Sequence, residues 1–358
     1  RRAFRNEATD RAFLSTEKRT GLATTRIVYC DDGEPGITRF RLRNGWGYRD
    51  GAGKRITDRD EIERLNAIGL PPAYRDAWFC PKANGHIQAV GWDEKGRKQY
   101  RYHLDYRARQ EAAKYDLCAA FGAALPKLRA KVAADLARRR HDRDRTVAAI
   151  VKLLDTCSLR IGNEAYAKAN KSFGLTTLRD RHAEIHGSVL TLEYRAKSGR
   201  MRRLRITDGS LARFVRKCQD LPGQKLFQYV GADGEPRAVT SSDVNDYIRA
   251  AMGSDFTAKH FRTWGASVVA FETLAAADAP IGLKAMLEPV VERLGNTPAI
   301  ARKSYVHPDL IALAKDRDAQ ATWRERLALP RATRYLSREE RGLIAFLDRH
   351  AAPATRAA

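Results

Sequence analysis

No stretch of about 18 consecutive apolar residues occurs in the 358-residue sequence, and no apolar segment follows the N-terminal arginines. Neither a membrane span nor a secretory signal is therefore read. Cysteine is scarce: Cys30, Cys80, Cys118, Cys157 and Cys218 are odd in number, far apart and never in a C-x-x-C pair. That argues against a disulfide framework or a zinc ribbon. The eight histidines are scattered and form no H-E-x-x-H motif, so no metal ligand set is read. Gly91 and Gly96 have the spacing of a phosphate-binding loop, but Arg97 and Lys98 stand where it needs Lys and Ser or Thr. Nucleotide binding is rejected, and Gly282 and Gly295 form no dinucleotide fingerprint. Acidic residues are the minority, 43 against 66 Lys and Arg, for a net charge of +23. Such an excess opposes compaction by self-repulsion and points to a polyanionic partner. The expectation is a chain of the cytoplasm or nucleoid, with no cofactor.

What is present divides into two textures. From residue 27 to 103, short apolar or alternating runs are punctuated by turns such as Gly33-Glu34-Pro35-Gly36, Asn44-Gly45 and Asn84-Gly85, the pattern of a small antiparallel sheet. Thr57 or Asp58 can cap a helix through Ala67, whose first turn carries Asp60 and Glu61. After Asp105 helical spacing dominates, with stretches at 106–124, 127–140, 143–157, 208–218, 241–252, 258–275 and 283–294, and again from Asp309. One interruption is clear: runs at 189–194 and 202–206 flank Lys197-Ser198-Gly199, a hairpin with a Ser-Gly turn. The class is α+β. A β-rich N-terminal domain spans 1–104, of which 1–24 reads as an arm; a mainly α-helical domain with a β-hairpin spans 105–315; a C-terminal helical extension spans 316–358.

The positive charge is concentrated. Residues 95–109 hold six Lys or Arg and one acid, interleaved with tyrosines; residues 195–205 hold six basic residues and no acid. Residues 126–145 hold eight basic and three acidic residues and read as an ordinary exposed helix face. On a strand, Lys98-Gln99-Tyr100-Arg101-Tyr102 puts Gln99 and Arg101 on one face and the tyrosines on the other. Such a strand can enter a major groove, where Gln suits adenine and Arg suits guanine. An equally weighted reading is a solvated edge strand protected from aggregation by its charges.

The candidate chemistry lies in cations and one tyrosine. Arg160 sits in Leu159-Arg160-Ile161-Gly162-Asn163-Glu164, Lys197 at the hairpin tip, Lys259 and Arg262 in Lys259-His260-Phe261-Arg262-Thr263, and Asn296 ahead of Ser304-Tyr305. Taken singly, such arginines often cap helix ends and such a tyrosine is often core. Their order, with Gly69-Leu70-Pro71-Pro72-Ala73-Tyr74, Gly85-His86-Ile87-Gln88-Ala89 and the run from Gly96 to His103, resembles the type IB DNA topoisomerases of the short bacterial and poxvirus kind, over residues 26–310.

That resemblance implies a β-rich domain and a helical catalytic domain closing around duplex DNA as a clamp. It implies that Tyr305 is the nucleophile forming a 3′-phosphotyrosyl link, that Arg160 and Arg262 hold the non-bridging phosphate oxygens, and that Lys197 is the general acid, with Lys259 a supporting cation. Asn296 stands where the poxvirus and eukaryotic enzymes have His; an amide donates a hydrogen bond but cannot titrate. Lys98, Gln99, Tyr100, Arg101 and Tyr102 would contact DNA from the first domain, and Tyr166, Lys168 and Lys171 from the second. The resemblance implies an ATP- and metal-independent monomer that relaxes supercoils. A tyrosine site-specific recombinase shares the catalytic plan, but typically shows H-x-x-R where this chain has Lys259-His260-Phe261-Arg262, and an all-helical first domain. A non-catalytic basic DNA-binding protein is the remaining alternative.

Overall fold

The computed structural model describes residues 26–94 and 96–350. The arm read at 1–24 and residues 351–358 of the extension lie outside them. The chain divides into two compact units between Lys114 and Tyr115. Among the described residues no helix is long and apolar enough to cross a membrane.

The first unit is built on β1 (Ile37–Leu42), β2 (Gly45–Arg49), α1 (Arg59–Ala67), β3 (Arg75–Phe79), β4 (Ile87–Trp92) and β5 (Lys98–Tyr102). The five strands form one antiparallel sheet in the order β2-β1-β3-β4-β5, which leaves β5 on an edge. Asp58 starts α1 by accepting from the Asp60 amide at 3.1 Å, and the acids of the first turn complement the helix dipole. Ile37, Tyr48, Leu65, Leu70, Phe79 and Ala89 make the core between helix and sheet. The loop from Gly69 to Tyr74 is held from β1. Arg39 donates to the carbonyls of Leu70, Pro71 and Tyr74 at 2.9, 2.7 and 2.9 Å. Buried Gln88 donates to the carbonyls of Gly85 and Ala83. Two of the motifs noted in the sequence therefore hold loops to the sheet.

Helix α2 (Leu104–Asp116) belongs to the first unit up to Lys114, and the division falls within it; the second unit then contains α3 (Cys118–Leu136), α4 (Arg143–Cys157), α5 (Glu164–Asn170), β6 (Ala183–His186), β7 (Val189–Arg195), β8 (Met201–Thr207) and α6 (Gly209–Gln219). It continues with β9 (Gln228–Val230), β10 (Pro236–Ala238), α7 (Ser241–Met252), α8 (Ala258–Ala276), α9 (Leu283–Leu294), α10 (Pro298–Ser304), α11 (Pro308–Leu313), α12 (Arg317–Glu325) and α13 (Arg338–His350). Helices α4 and α8 are apolar on most faces and run through the core, as all-round hydrophobicity requires. Strands β7 and β8 pair antiparallel from Val189↔Thr207 to Arg195↔Met201, with β6 on the outer side of β7.

One helix boundary differs from the sequence pattern. Separate helices were expected on either side of Pro126, yet α3 runs through it and the break falls at Leu117. Proline removes one main-chain bond. Phe121 and Leu125 before it and Leu128 and Val132 after it share one buried face, and that packing keeps the helix continuous. Helices α5 and α10, seven residues each, are too short to show a period. Residues of α13 pack into the same core, with Leu343, Phe346 and Leu347 buried. Arg129 of α3 joins them electrostatically, donating to Asp155 of α4 at 2.7 and 2.8 Å and to Glu340 of α13 at 2.6 and 2.8 Å.

Candidate active site

The segment carrying Arg160 is fixed by its main chain. Helix α4 ends at Ser158 in the left-handed region (φ 51°), and Leu159 plugs into the core. Residues 160–162 then run against 174–176: the Leu175 amide donates to the Arg160 carbonyl at 2.9 Å and the Thr176 amide to that of Ile161 at 2.7 Å. The crossing is so close that a Cβ on Gly174 would stand 2.6 Å from the Gly162 nitrogen and 2.7 Å from the Arg160 oxygen. Asn163 next caps α5, accepting from the Tyr166 amide at 2.9 Å. Leu159, Gly162 and Asn163 thus frame Arg160, whose Nη2 donates to Asn296 Oδ1 at 3.2 Å and to the Tyr305 hydroxyl at 3.4 Å.

Arg262 comes from α8 and is 5% exposed. Its Nη1 donates to the Ser158 carbonyl at 2.6 Å and its Nη2 to that of Leu294 at 3.3 Å. Its Cζ lies 4.7 Å from the centroid of the Tyr305 ring. Burial, and then the nearby charge of Arg160, lower its pKa to about 10. A guanidinium removed from water and bonded to main-chain carbonyls is short of negative charge, and burying one this way is unfavourable until an anion arrives. Two further donors in the same place are unused: Arg262 Nε and Asn296 Nδ2 are buried without a hydrogen-bond partner among the described residues.

Tyr305 follows α10, which Thr297 and Pro298 initiate. Its amide donates to the Ala301 carbonyl at 3.1 Å, and Ser267 of α8 donates to its carbonyl at 3.5 Å while accepting from the His307 amide at 3.1 Å. Tyr305 is half-buried. Burial pushes its pKa up, but the charges of Arg262, Arg160 and Lys197 outweigh that and hold it below the usual phenol value.

These groups line a cleft of about 740 Å³ that takes in Arg160, Lys197, Arg262, Asn296 and Tyr305. A neighbouring hollow of about 490 Å³ shares Arg160, Lys197, Arg262 and Tyr305 and adds Lys259 and Tyr166. The five other residues singled out for chemistry therefore line the two hollows that Tyr305 also lines. Lys197 is exposed at the tip between β7 and β8, where Ser198 and Gly199 take positive φ. Lys168 and Lys171 line a separate cavity of about 1000 Å³ with Arg179, Arg181 and Arg195.

In the first unit, Gln99 donates to Asp93 Oδ2 at 3.1 Å and Arg101 to the Gly69 carbonyl at 3.2 Å. Lys98 is paired with Asp32. The two side chains read as facing bases thus make hydrogen bonds within the chain. β5 also exposes a stack of Tyr100 and Tyr102, rings 5.9 Å apart and 39% and 44% exposed.

Sequence reasoning missed the groups that support the site: the Ser158 carbonyl, Ser267, the 174–176 segment and Arg202, read only as one cation in a basic run. The glycine in Leu159-Arg160-Ile161-Gly162 was the only local signal for any of them.

Comparison with known proteins gives two family matches. Residues 103–306 match the catalytic core of eukaryotic DNA topoisomerase I, and residues 45–93 match the N-terminal domain of bacterial DNA topoisomerase IB. DNA topoisomerase 1B of Acanthamoeba polyphaga mimivirus is 32% identical over 265 residues, covering 70% of this chain and 79% of that protein. DNA topoisomerase 1B of Vaccinia virus (strain Copenhagen) is 21% identical over 281 residues, covering 73% and 84%. A solved complex of the XerH site-specific recombinase with a palindromic difH substrate aligns at a TM-score of 0.36 and 14% identity, over 57% of this chain and 52% of that one. That likeness is too slight to carry an argument.

Proposed function

The chain belongs to the type IB DNA topoisomerases, and from that premise we propose that it relaxes supercoiled duplex DNA as a monomer, acting on the nucleoid in the cytoplasm. Tyr305 releases its hydroxyl proton to solvent and attacks a backbone phosphorus as the tyrosinate, the bond from phosphorus to the 5′ oxygen breaks, and the protein is left joined to the 3′ phosphate. The departing 5′ oxygen takes a proton from Lys197. After the broken strand has rotated about its partner, the 5′ hydroxyl returns its proton to Lys197, attacks the phosphotyrosine and frees Tyr305. The ester energy is kept in the covalent link, so religation requires no ATP.

Arg160, Arg262 and the unpaired Nδ2 of Asn296 stabilise the charge that builds on the phosphate oxygens, with Lys259 in support. Preorganised donors of this kind in a half-dry cleft are the largest contribution available to such a reaction. Because these cations carry the phosphate charge, no step is assigned to a metal ion. Lys98, Gln99, Tyr100, Arg101 and Tyr102 of β5, with Tyr166, Lys168 and Lys171 around α5, hold the flanking duplex.

The observation that carries the reading is the Tyr305 hydroxyl 3.4 Å from Arg160 Nη2, its ring under Arg262 and its pKa depressed by three cations. The test is relaxation of a negatively supercoiled plasmid in EDTA without ATP, followed by denaturation to trap protein on DNA. The wild type should relax the plasmid and leave an adduct, and Tyr305→Phe should do neither while still binding DNA. Relaxation by Tyr305→Phe, or an adduct through another residue, would refute the assignment.

A further inference from the structure

We propose that Arg202 is a positioning residue for the cleavage reaction and acts through Asn296; the proposal rests on the reading of the cleft given above. Helix α9 ends at Gly295, which takes the left-handed conformation (φ 62°) and returns its amide to the Val291 carbonyl at 2.8 Å. The last carbonyls of a helix lack an intrahelical partner. Here arginines from other elements take three in a row. Arg202 of β8 donates from Nη1 to the Glu292 carbonyl at 3.0 Å and from Nη2 to that of Arg293 at 2.7 Å, and Arg262 takes that of Leu294 at 3.3 Å. A cation there also matches the negative end of the helix dipole.

Arg202 lies directly on the turn that follows. A Cβ on Gly295 would stand 2.7 Å from Arg202 Nη1 and 3.0 Å from its Cζ, so the guanidinium plane is packed against the peptide leading into Asn296. Asn296 is 7% exposed; among the described residues its side chain bonds through Oδ1 to Arg160, and Nδ2 is left unpaired. Its side chain has little else to orient it. Where its Nδ2 points follows from the conformation of the turn at 294–296, which Arg202 holds from outside through the Glu292 and Arg293 carbonyls that lead into it, beside Arg262 on the Leu294 carbonyl. Arg202 faces Tyr194 across the β7–β8 ladder, so the same fork ties the hairpin bearing Lys197 to the end of α9. Lysine cannot replace it, because one ammonium does not reproduce a planar fork on two carbonyls.

The experiment is a double-mutant cycle on single-turnover cleavage of a duplex oligonucleotide at saturating enzyme. Arg202→Ala, Asn296→Ala and the double variant are compared, with noncovalent DNA affinity measured in a Tyr305→Phe background. Misplacement of a catalytic group by about 1 Å can cost roughly 100-fold. Arg202→Ala should slow cleavage by about 10- to 100-fold with affinity changed less than about threefold, and Arg202→Lys should not restore the rate. The double variant should cleave no slower than Asn296→Ala within about twofold. Multiplicative losses, an Arg202 effect when Asn296→Ala has none, or a loss confined to affinity would each overturn the proposal. If Arg202→Ala does not fold, Arg202→Gln, which keeps one donor, enters the same cycle and is judged by the same outcomes. Should the wild type form no adduct at all, the functional reading fails first; an adduct with multiplicative losses sinks only the role of Arg202.

Discussion

Replacing Arg160 by Ala removes a side chain that bonds both Asn296 and the Tyr305 hydroxyl, and the size of the loss follows from what that guanidinium does. Its Nη2 is engaged at 3.2 and 3.4 Å, and the residue lines the cleft shared with Lys197 and Arg262. Loss of a single preorganised donor to a developing oxyanion costs about 100- to 1000-fold. A second, smaller loss falls on the nucleophile. Arg160 follows Arg262 among the charges that lower the hydroxyl's pKa, so its removal leaves less tyrosinate at neutral pH. Together these predict a fall in single-turnover cleavage of about 10³- to 10⁴-fold, or roughly 4 to 5.5 kcal/mol at 1.36 kcal/mol per decade. Folding should be nearly untouched, because the segment is held by the Leu159 side chain and the carbonyls of Arg160 and Ile161. Arg160→Lys keeps the charge but not the planar geometry and should recover only a small part of the rate. The assay is covalent adduct formation on a duplex oligonucleotide, resolved on a denaturing gel at saturating enzyme. A fall below about 30-fold, or one that disappears as DNA is raised, would refute the assignment of Arg160 to the transition state.

Three further outcomes are expected. Titrating tyrosinate absorbance in the wild type minus Tyr305→Phe should show one phenol ionising below the ordinary value of about 10, and cleavage rate should rise with pH and level off at that lower midpoint; a midpoint at or above the ordinary value would contradict the balance of charge over burial at Tyr305. Glu340→Gln removes the charge facing Arg129 and should cost about 2–3 kcal/mol, less than the 3–5 of a fully broken buried pair because Asp155 remains, lowering the melting temperature by about 5–10 °C. Burial raises the Glu340 pKa but Arg129 more than compensates, leaving it depressed; its contribution is therefore complete above the unfolded value of about 4.3 and lost as pH falls through the folded one, so the variant's stability should vary less with pH on the acid side. Gly174→Ala places a methyl against main chain on both sides, and overpacking of this kind costs about 1–3 kcal/mol; adduct formation should fall more than DNA affinity, and equal falls would mean that the crossing does not position Arg160.

Much of the fold was legible because its signals are local. Alternating runs and turn pairs marked the sheet, and the spacing of Val147, Ile150, Val151 and Leu154 marked α4. The pair Thr57 and Asp58 marked the start of α1, where the structure uses Asp58, and Ser198-Gly199 marked the hairpin tip. Where the reading failed, packing had overridden a local preference. Pro126 signals a helix end, and a buried face continuous across it kept α3 intact. On β5 the alternation showed which residues share a face; that the sheet brings Asp93 and the Gly69 carbonyl alongside Gln99 and Arg101 was not legible in it.

The sequence by itself determined the kinds of element, the positive charge, and the set of residues from which a site could be made. It carried no information on distance. Arg160 and Tyr305 are 145 residues apart and meet at 3.4 Å only because α4, α8, α9 and α10 share one core. The depressed pKa of Tyr305 and the strained burial of Arg262 arise from the sum of charges within a few ångströms and the water excluded around them. Both depend on inverse separation and on local dielectric, so they come into being only when the chain has folded.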